Sequence, residues 1–366
     1  MRKTLFKWHS YAALFALLPI LIVSLTGAIL VFKVEIDSAL RPQHMVVTPQ
    51  PNAQRMSIDQ LMQHVTQDNP DYALAGWELF DDRMRSDTAY IIRKGTDEWH
   101  KVYIDQYSGA VLSQPQPMTH YLTDWLLELH YAFLLQFSGT VIGVFIGLIM
   151  LFLGISGMVL YRHFWRKVFT LRWRAAKRIL LSDLHKFVGI LASPVFILIS
   201  LTGVYWNVSI LLHEVIEHGF ESEHEYISAP YHAPIISFET LRRDAASAID
   251  SFQATYLAIP NEPDMQITFF GDVNTSNPFI SQYASMITYD RNTGEQLFLR
   301  DIRQASVWAM IDDSTRKLHF GYFGGIVSKV IWCIVGLTPV LLAITGVWMF
   351  ALRKKPAKRN IQRRRR

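Results

Sequence analysis

The chain has 366 residues, of which half are hydrophobic and 18% charged, and it carries a formal net charge of +5. A positive mean hydropathy favours a membrane protein over an ordinary soluble domain. The single cysteine, Cys333, excludes a disulfide framework, a CxxC zinc site and an iron–sulfur cluster within one chain.

Four apolar runs, near residues 10–33, 131–161, 186–212 and 321–352, each exceed the ~20 residues that cross a bilayer core. The first has no short h-region and no A-x-A site behind it, and continues through Leu30-Val31-Phe32, so it reads as an uncleaved anchor. Lys and Arg concentrate at three places: three before the first run, eight between Arg162 and Lys186, and nine after Phe350. By the positive-inside rule both termini and the middle loop are cytoplasmic, and the two long intervening segments lie outside. Those segments hold nearly all the acids, so the net positive charge reflects membrane anchoring and gives no reason to expect nucleic-acid binding.

Taken in chain order, the elements occur twice. KWHSYAALFALLPILIVSLTG places His9 seventeen residues before Thr26, and DLHKFVGILASPVFILISLTG places His185 seventeen before Thr202. SIDQLMQHV and SFETLRRDA each open with a serine able to cap a helix, Ser57 and Ser237. WHKVYIDQYSGAVL and SMITYDRNTGEQLF each pass from a β-rich run through D-x-x-[S/T]-G to another apolar run, which predicts hairpins turning at Asp105–Gly109 and Asp290–Gly294. LHYAF sets His130 26 residues before Ser156, and LHFGYF sets His319 the same distance before Thr345.

The slowly drifting offset of 176 to 189 residues is the mark of a duplicated unit. The expected fold is an α-helical membrane bundle of four spans with two outside α+β modules and a pseudo-two-fold axis along the membrane normal. Repeat 1 takes residues 1–162 (spans 10–33 and 130–161 around a module at 34–129). A basic loop follows at 163–183, then repeat 2 at 184–352 (spans 184–212 and 319–352 around a module at 213–318), and a basic tail at 353–366.

In this topology His9 and His185 fall at the cytoplasmic ends of spans, and His130 and His319 at the outer ends. Each pair would face across the axis, and two facing neutral imidazoles are what a low-spin haem iron takes as axial ligands. The residues therefore point to two haems b, one near each membrane face. No CxxCH is present for covalent attachment, and zinc wants three or four ligands where each set offers two. His213 is a further ligand candidate, and an asymmetric bundle could pair it with His130; His163 reads as interfacial. Arg162, Arg166, Arg172 and Arg174 are candidate partners for haem propionates, although headgroup contact suits them too. Phe145, Phe152, Tyr205 and Trp206 are candidate relays between distant haems. Gly143, Gly147, Gly154, Gly321, Gly324 and Gly325 suit either a macrocycle against backbone or close helix packing. Trp77, Trp99, Trp125 and Trp308 could contact a bulky acceptor. No dinucleotide fingerprint, P-loop, nucleophile elbow or HExxH is present.

From KWHSYAALF through the two D-x-x-[S/T]-G turns to ITGVWMF, the sequence resembles the PepSY-associated transmembrane family, which includes bacterial inner-membrane ferric-siderophore reductases of the ferrioxamine type. The resemblance implies PepSY-like periplasmic modules, two haems b on His9, His185, His130 and His319, and electron transfer to iron in a ferric siderophore outside the inner membrane. The cytoplasmic segments are too short for a flavin or nicotinamide domain, so a separate reductase, a small reductant or a quinol is the expected electron donor. Two rival readings are a regulator whose modules bind a periplasmic protease or envelope partner, and a transporter of iron, haem or siderophore. The spans carry no repeated acid of the kind proton-coupled carriers use, which argues against the transporter.

Overall fold

The computed structural model describes residues 2–161, 171–218 and 226–354. In chain order these form α1 (Arg2–Phe15), α2 (Leu17–Leu30), α3 (Lys33–Leu40), α4 (Pro42–Met45) and α5 (Ile58–Asp68), then β1 (Tyr72–Glu78), β2 (Asp87–Arg93), β3 (Trp99–Ile104) and β4 (Gln116–Pro117). Helices α6 (Leu122–Ala132), α7 (Gln136–Leu160), α8 (Lys177–His213) and α9 (Phe238–Ala248) follow. The chain then continues through β5 (Gln253–Ala258), β6 (Ile267–Asp272), β7 (Ser285–Tyr289) and β8 (Gln296–Arg300) to α10 (Val307–Phe320) and α11 (Gly325–Lys354). They pack as a helical unit of residues 1–31, 127–213 and 326–366 and a sheet unit of residues 32–126 and 214–325.

In the helical unit α7, α8 and α11 are each long and apolar enough to cross a membrane. Large apolar side chains such as Phe145, Ile155, Leu201, Ile334 and Trp348 are exposed on them, as lipid-facing residues are. The first expected span is not one helix: α1 and α2 meet at Ala16 with a bend of 68°. Pro19 explains the break, because it has no N–H to bond the carbonyl of Phe15 and its ring presses on that carbonyl.

The second expected span, 130–161, is also divided. His130 lies in the last turn of α6, which ends at Ala132, and α7 starts only at Gln136, after Phe133 and Leu134 have adopted left-handed φ of 50° and 61°; Gln136 does the same at 51°. The fourth, 319–352, divides similarly between α10 and α11, here with Gly321 and Gly325 at positive φ, where glycine costs nothing. The third, 184–212, extends further back as α8, which starts at Lys177 and carries Pro194 inside it.

Helix packing in this unit depends on small residues. A side chain at Gly143, Gly147 or Gly154 of α7 would strike Asn207, Val204 or Ile197 of α8, so these three glycines serve close helix approach. Asn207 also donates a 3.0 Å hydrogen bond to the Tyr131 carbonyl. Gly139 is tighter still, since a Cβ there would lie 1.6 Å from the carbonyl oxygen of Ala132.

The sheet unit brings the strands of both expected modules together. Its strands form one antiparallel sheet in the order β4-β3-β2-β1-β5-β6-β7-β8, joined at the centre by β1 and β5 with Trp77 opposite Leu257. Both central strands carry a register irregularity at corresponding places, Leu74/Gly76 and Ala254/Tyr256. Helices α5 and α9 share a single core with the sheet, including Trp77, Ile91, Ile104, Leu257, Ile267, Phe269, Ile287 and Tyr289.

The serine caps form as the sequence predicts: Ser57 makes a capping box with Gln60, and Ser237 accepts from the Thr240 amide. Each helix also caps the other. Asp59 of α5 accepts from the Ser237 hydroxyl and the Phe238 amide at 2.6 and 2.7 Å, and Glu239 of α9 accepts from the Ile58 amide at 3.4 Å. Carboxylates there meet the positive ends of both helix dipoles.

Both D-x-x-[S/T]-G turns close alike, with Gly109 and Gly294 at φ of 73° and 75° and their amides donating to the carbonyls of Asp105 and Asp290. The second turn joins the paired strands β7 and β8. The first leads only to an isolated bridge between Ile104 and Val111, so that hairpin is rudimentary.

Candidate functional site

The histidines singled out by spacing lie against hydroxyl groups of neighbouring helices. His9 of α1 places Nδ1 2.7 Å from Ser156 Oγ of α7. His130 of α6 places Nδ1 3.0 Å from Thr26 Oγ1 of α2, and His185 of α8 places Nδ1 2.9 Å from Thr345 Oγ1 of α11. The spacing thus measured something other than a partnership along one helix. Each histidine pairs with the hydroxyl of a different span.

Ser156 donates to the Leu153 carbonyl, Thr26 to the carbonyls of Ile22 and Val23, and Thr345 to those of Leu341 and Leu342. A hydroxyl has one proton, and where its own helix takes it the oxygen accepts from the imidazole. That hydroxyl orientation makes Nδ1 the donor, the arrangement of a metal-ligating histidine whose Nδ1 is held by an outer partner.

The residue after each hydroxyl is glycine. A Cβ at Gly27 would sit 2.7 Å from His130 Cε1, so the missing side chain makes room for that ring; at Gly157 and Gly346 a Cβ would lie in ordinary contact, 3.8 and 3.7 Å from His9 and His185 Cε1. In the recurring [S/T]-G pair the hydroxyl lies against the imidazole, and at Gly27 the glycine accommodates it. Sequence reading used Thr26, Ser156 and Thr345 only as landmarks. The [S/T]-G signal that identifies them as partners was present, but which helix each would face is a tertiary matter.

His9 and His185 lie close enough to interact electrostatically. His319 sits in the last turn of α10, edge-on to Phe320, and belongs to the sheet unit. Thr202, which matches Thr26 in the second copy, donates to the carbonyls of Leu198 and Ile199 in the same manner as the other three hydroxyls. Among the described residues no three His, Cys, Asp or Glu side chains gather as a metal-ion site. The hydroxyl-held imidazoles suit axial ligation of haem iron, which needs one bare nitrogen from each ring.

The remaining candidates separate. His213 is exposed in the last turn of α8, without the buried setting of the other histidines. Arg172 is committed to Asp183 through two 2.8 Å hydrogen bonds, while His163, Arg162 and Arg166 lie outside the described residues. Phe145 and Phe152 are exposed, so they do not form a buried relay, whereas Tyr205 and Trp206 meet edge to face at 6.0 Å. Trp77 is a core residue, and Trp99, Trp125 and Trp308 are exposed.

Long apolar helices with exposed apolar faces, joined in sequence to an antiparallel sheet unit, define an integral membrane protein with a substantial polar domain. The model of the PepSY-associated TM region matches residues 6–353, and the chain belongs to that family. A search of curated proteins finds no match.

Proposed function

We propose that this protein is a di-haem b oxidoreductase of the bacterial inner membrane that passes electrons outward to ferric iron held in a siderophore. The reading takes the bent pair α1/α2 with α7, α8 and α11 as four spans of a duplicated unit, with both termini cytoplasmic and the sheet unit periplasmic. One observation carries it: three imidazoles, in matched sequence contexts, each set Nδ1 against a hydroxyl of a neighbouring helix at 2.7, 3.0 and 2.9 Å.

His9 and His185 would hold one haem, and His130 and His319, by their matched spacing, the other. When bound, the haems would supply one-electron transfer. The chain's part is to set ring orientation through Ser156, Thr26 and Thr345, to keep the imidazoles neutral in an apolar setting, and to leave the His130 ring space over Gly27. A cytoplasmic reductase, a small reductant or a quinol supplies each electron. Fe(III), a hard ion held by oxygen donors, becomes Fe(II) and loses its preference for the chelator.

Optical spectra of the detergent-purified protein, oxidised and dithionite-reduced, with pyridine haemochrome quantification, test the proposal. The expected result is low-spin haem b at two per chain, halved in His130→Ala. Thr345→Val should keep haem while shifting a midpoint potential, because it alters the outer partner of one ligand. Absence of haem after expression with abundant precursor would overturn the reading.

A further inference from the structure

Between the start of α3 and the start of α6 the sheet unit buries a dense ionic cluster. Lys33 donates to Asp37, Thr123 and Asp124 at 2.8, 3.0 and 2.7 Å; Lys101 donates to Asp124 at 2.5 Å; Thr123 donates to Asp37 at 2.5 Å. Arg41 stacks 3.5 Å over the Tyr121 ring and pairs with Asp37. Asp37, Arg41, Lys101, Thr123 and Asp124 are all buried, whereas the Lys33 side chain is 26% exposed and forms the rim.

Two features are out of balance. The contacting charges are three cations, Lys33, Arg41 and Lys101, against two carboxylates, Asp37 and Asp124, so the cluster carries one positive charge in excess, with Lys33 at the rim that water reaches. Arg41, 5% exposed, pairs with Asp37 2.8 Å from Nη2, but among the described residues neither Nε nor Nη2 has an aligned hydrogen-bond acceptor. Nε and Nη2 form the edge through which arginine grips an anion with two parallel donors. The surplus charge is also felt by its neighbours. Burial, with Lys33 and Arg41 adding to it, lowers the Lys101 pKa; at Asp124 burial acts upward, but Lys101 and Lys33 outweigh it and the pKa is lowered.

We propose that this cluster is a binding site for one small monovalent anion of the chloride class, seated on the Nε/Nη2 edge of Arg41 with Lys33 at its entrance. One negative charge completes the balance, and the burial of the guanidinium edge favours a compact ion over a bulky phosphate ester. The bound anion bridges α3, which follows the first membrane-embedded stretch, to the first turn of α6, the helix that carries His130. The site is independent of haem content.

The test is thermal unfolding of the full-length purified protein in chloride and in gluconate at equal ionic strength, with bromide soaked into crystals and located by anomalous scattering. Chloride should raise the midpoint by about 2–4 °C over gluconate, a shift typical for ligand stabilisation of a unit this size. Bromide should appear beside Arg41. Lys33→Gln, at the exposed rim and tolerable to the fold, should weaken the chloride effect, and Arg41→Gln should abolish it. No difference between the salts in the wild type, as an uncharged Lys101 would produce, overturns the proposal. So does a stabilisation given by phosphate or anionic lipid and not by halide, or a chloride effect unchanged in both variants.

Discussion

The helical and sheet units are held together by opposite means. In the sheet unit stability comes from large side chains in one continuous core, with Trp77, Phe269 and Tyr289 almost wholly buried. In the helical unit many of the large side chains point outward, and the helices approach where side chains are missing, at Gly139, Gly143, Gly147 and Gly154. Lipid tails are as apolar as leucine, so burying leucine gains little there, and close backbone approach with a few directed hydrogen bonds takes over. The same substitution should therefore have opposite consequences in the two units.

The largest effect is expected from emptying the sheet core. Trp77→Ala removes the largest fully buried side chain at the central β1–β5 junction, and it takes away the indole N–H that donates to the buried Asp87 at 2.7 Å. Burial already raises the Asp87 pKa against the pull of Arg55 and Trp77, so losing one donor adds to the cavity cost. A loss of about 3–5 kcal/mol is expected, measured as lost amide-exchange protection across β1, β2 and β5. The same large-to-small change at Phe145, which is 64% exposed, should stay within about 0.5 kcal/mol. Equal loss of protection at both sites would break the comparison.

The converse experiment adds one carbon to the helical unit. Gly139→Ala drives a Cβ into the Ala132 carbonyl, a backbone atom that cannot rotate away, so the turn between α6 and α7 must shift. Overpacking of this kind costs about 1–3 kcal/mol, and it should appear as faster proteolysis between residues 132 and 139. Unchanged cleavage would show that the turn is less constrained than the left-handed Phe133, Leu134 and Gln136 imply.

How far each unit could be read from sequence follows the same division. Local signals were legible: Ser57 and Ser237 as caps, Asp105 and Asp290 as turn openers, and the apolar runs as membrane helices. Pro19 was a legible helix breaker that the continuous apolarity of residues 10–33 concealed. The division after His130 was not legible, because Ala132 to Gln136 contain neither glycine nor proline, and the residue that permits the turn, Gly139, lies inside the next helix. The fusion of two expected modules into one sheet depends on β1 pairing with β5 across about half the chain, which no local pattern encodes. At the candidate site the histidines were found by repetition, but their hydroxyl partners were decided by helix packing.

The smallest expected effect is a pH dependence confined to the sheet unit. The Asp124 pKa lies below its ordinary carboxylate value: burial opposes ionisation, but Lys101 and Lys33 overcome it. An acid with a depressed pKa in the folded state stabilises the fold above its unfolded pKa, near 4, and loses that contribution as pH falls through the folded value. The sheet unit should therefore hold steady from neutral pH to about 5 and weaken progressively below 4. Asp124→Asn should be less stable at neutral pH and flatter on acidification, since the neutral amide leaves Lys101 and Lys33 short of a counter-charge at every pH. The membrane helices provide the internal control. Their amide protection should not follow this acid limb, and if it did, acid loss would have to be assigned to the whole molecule and not to the ionic cluster.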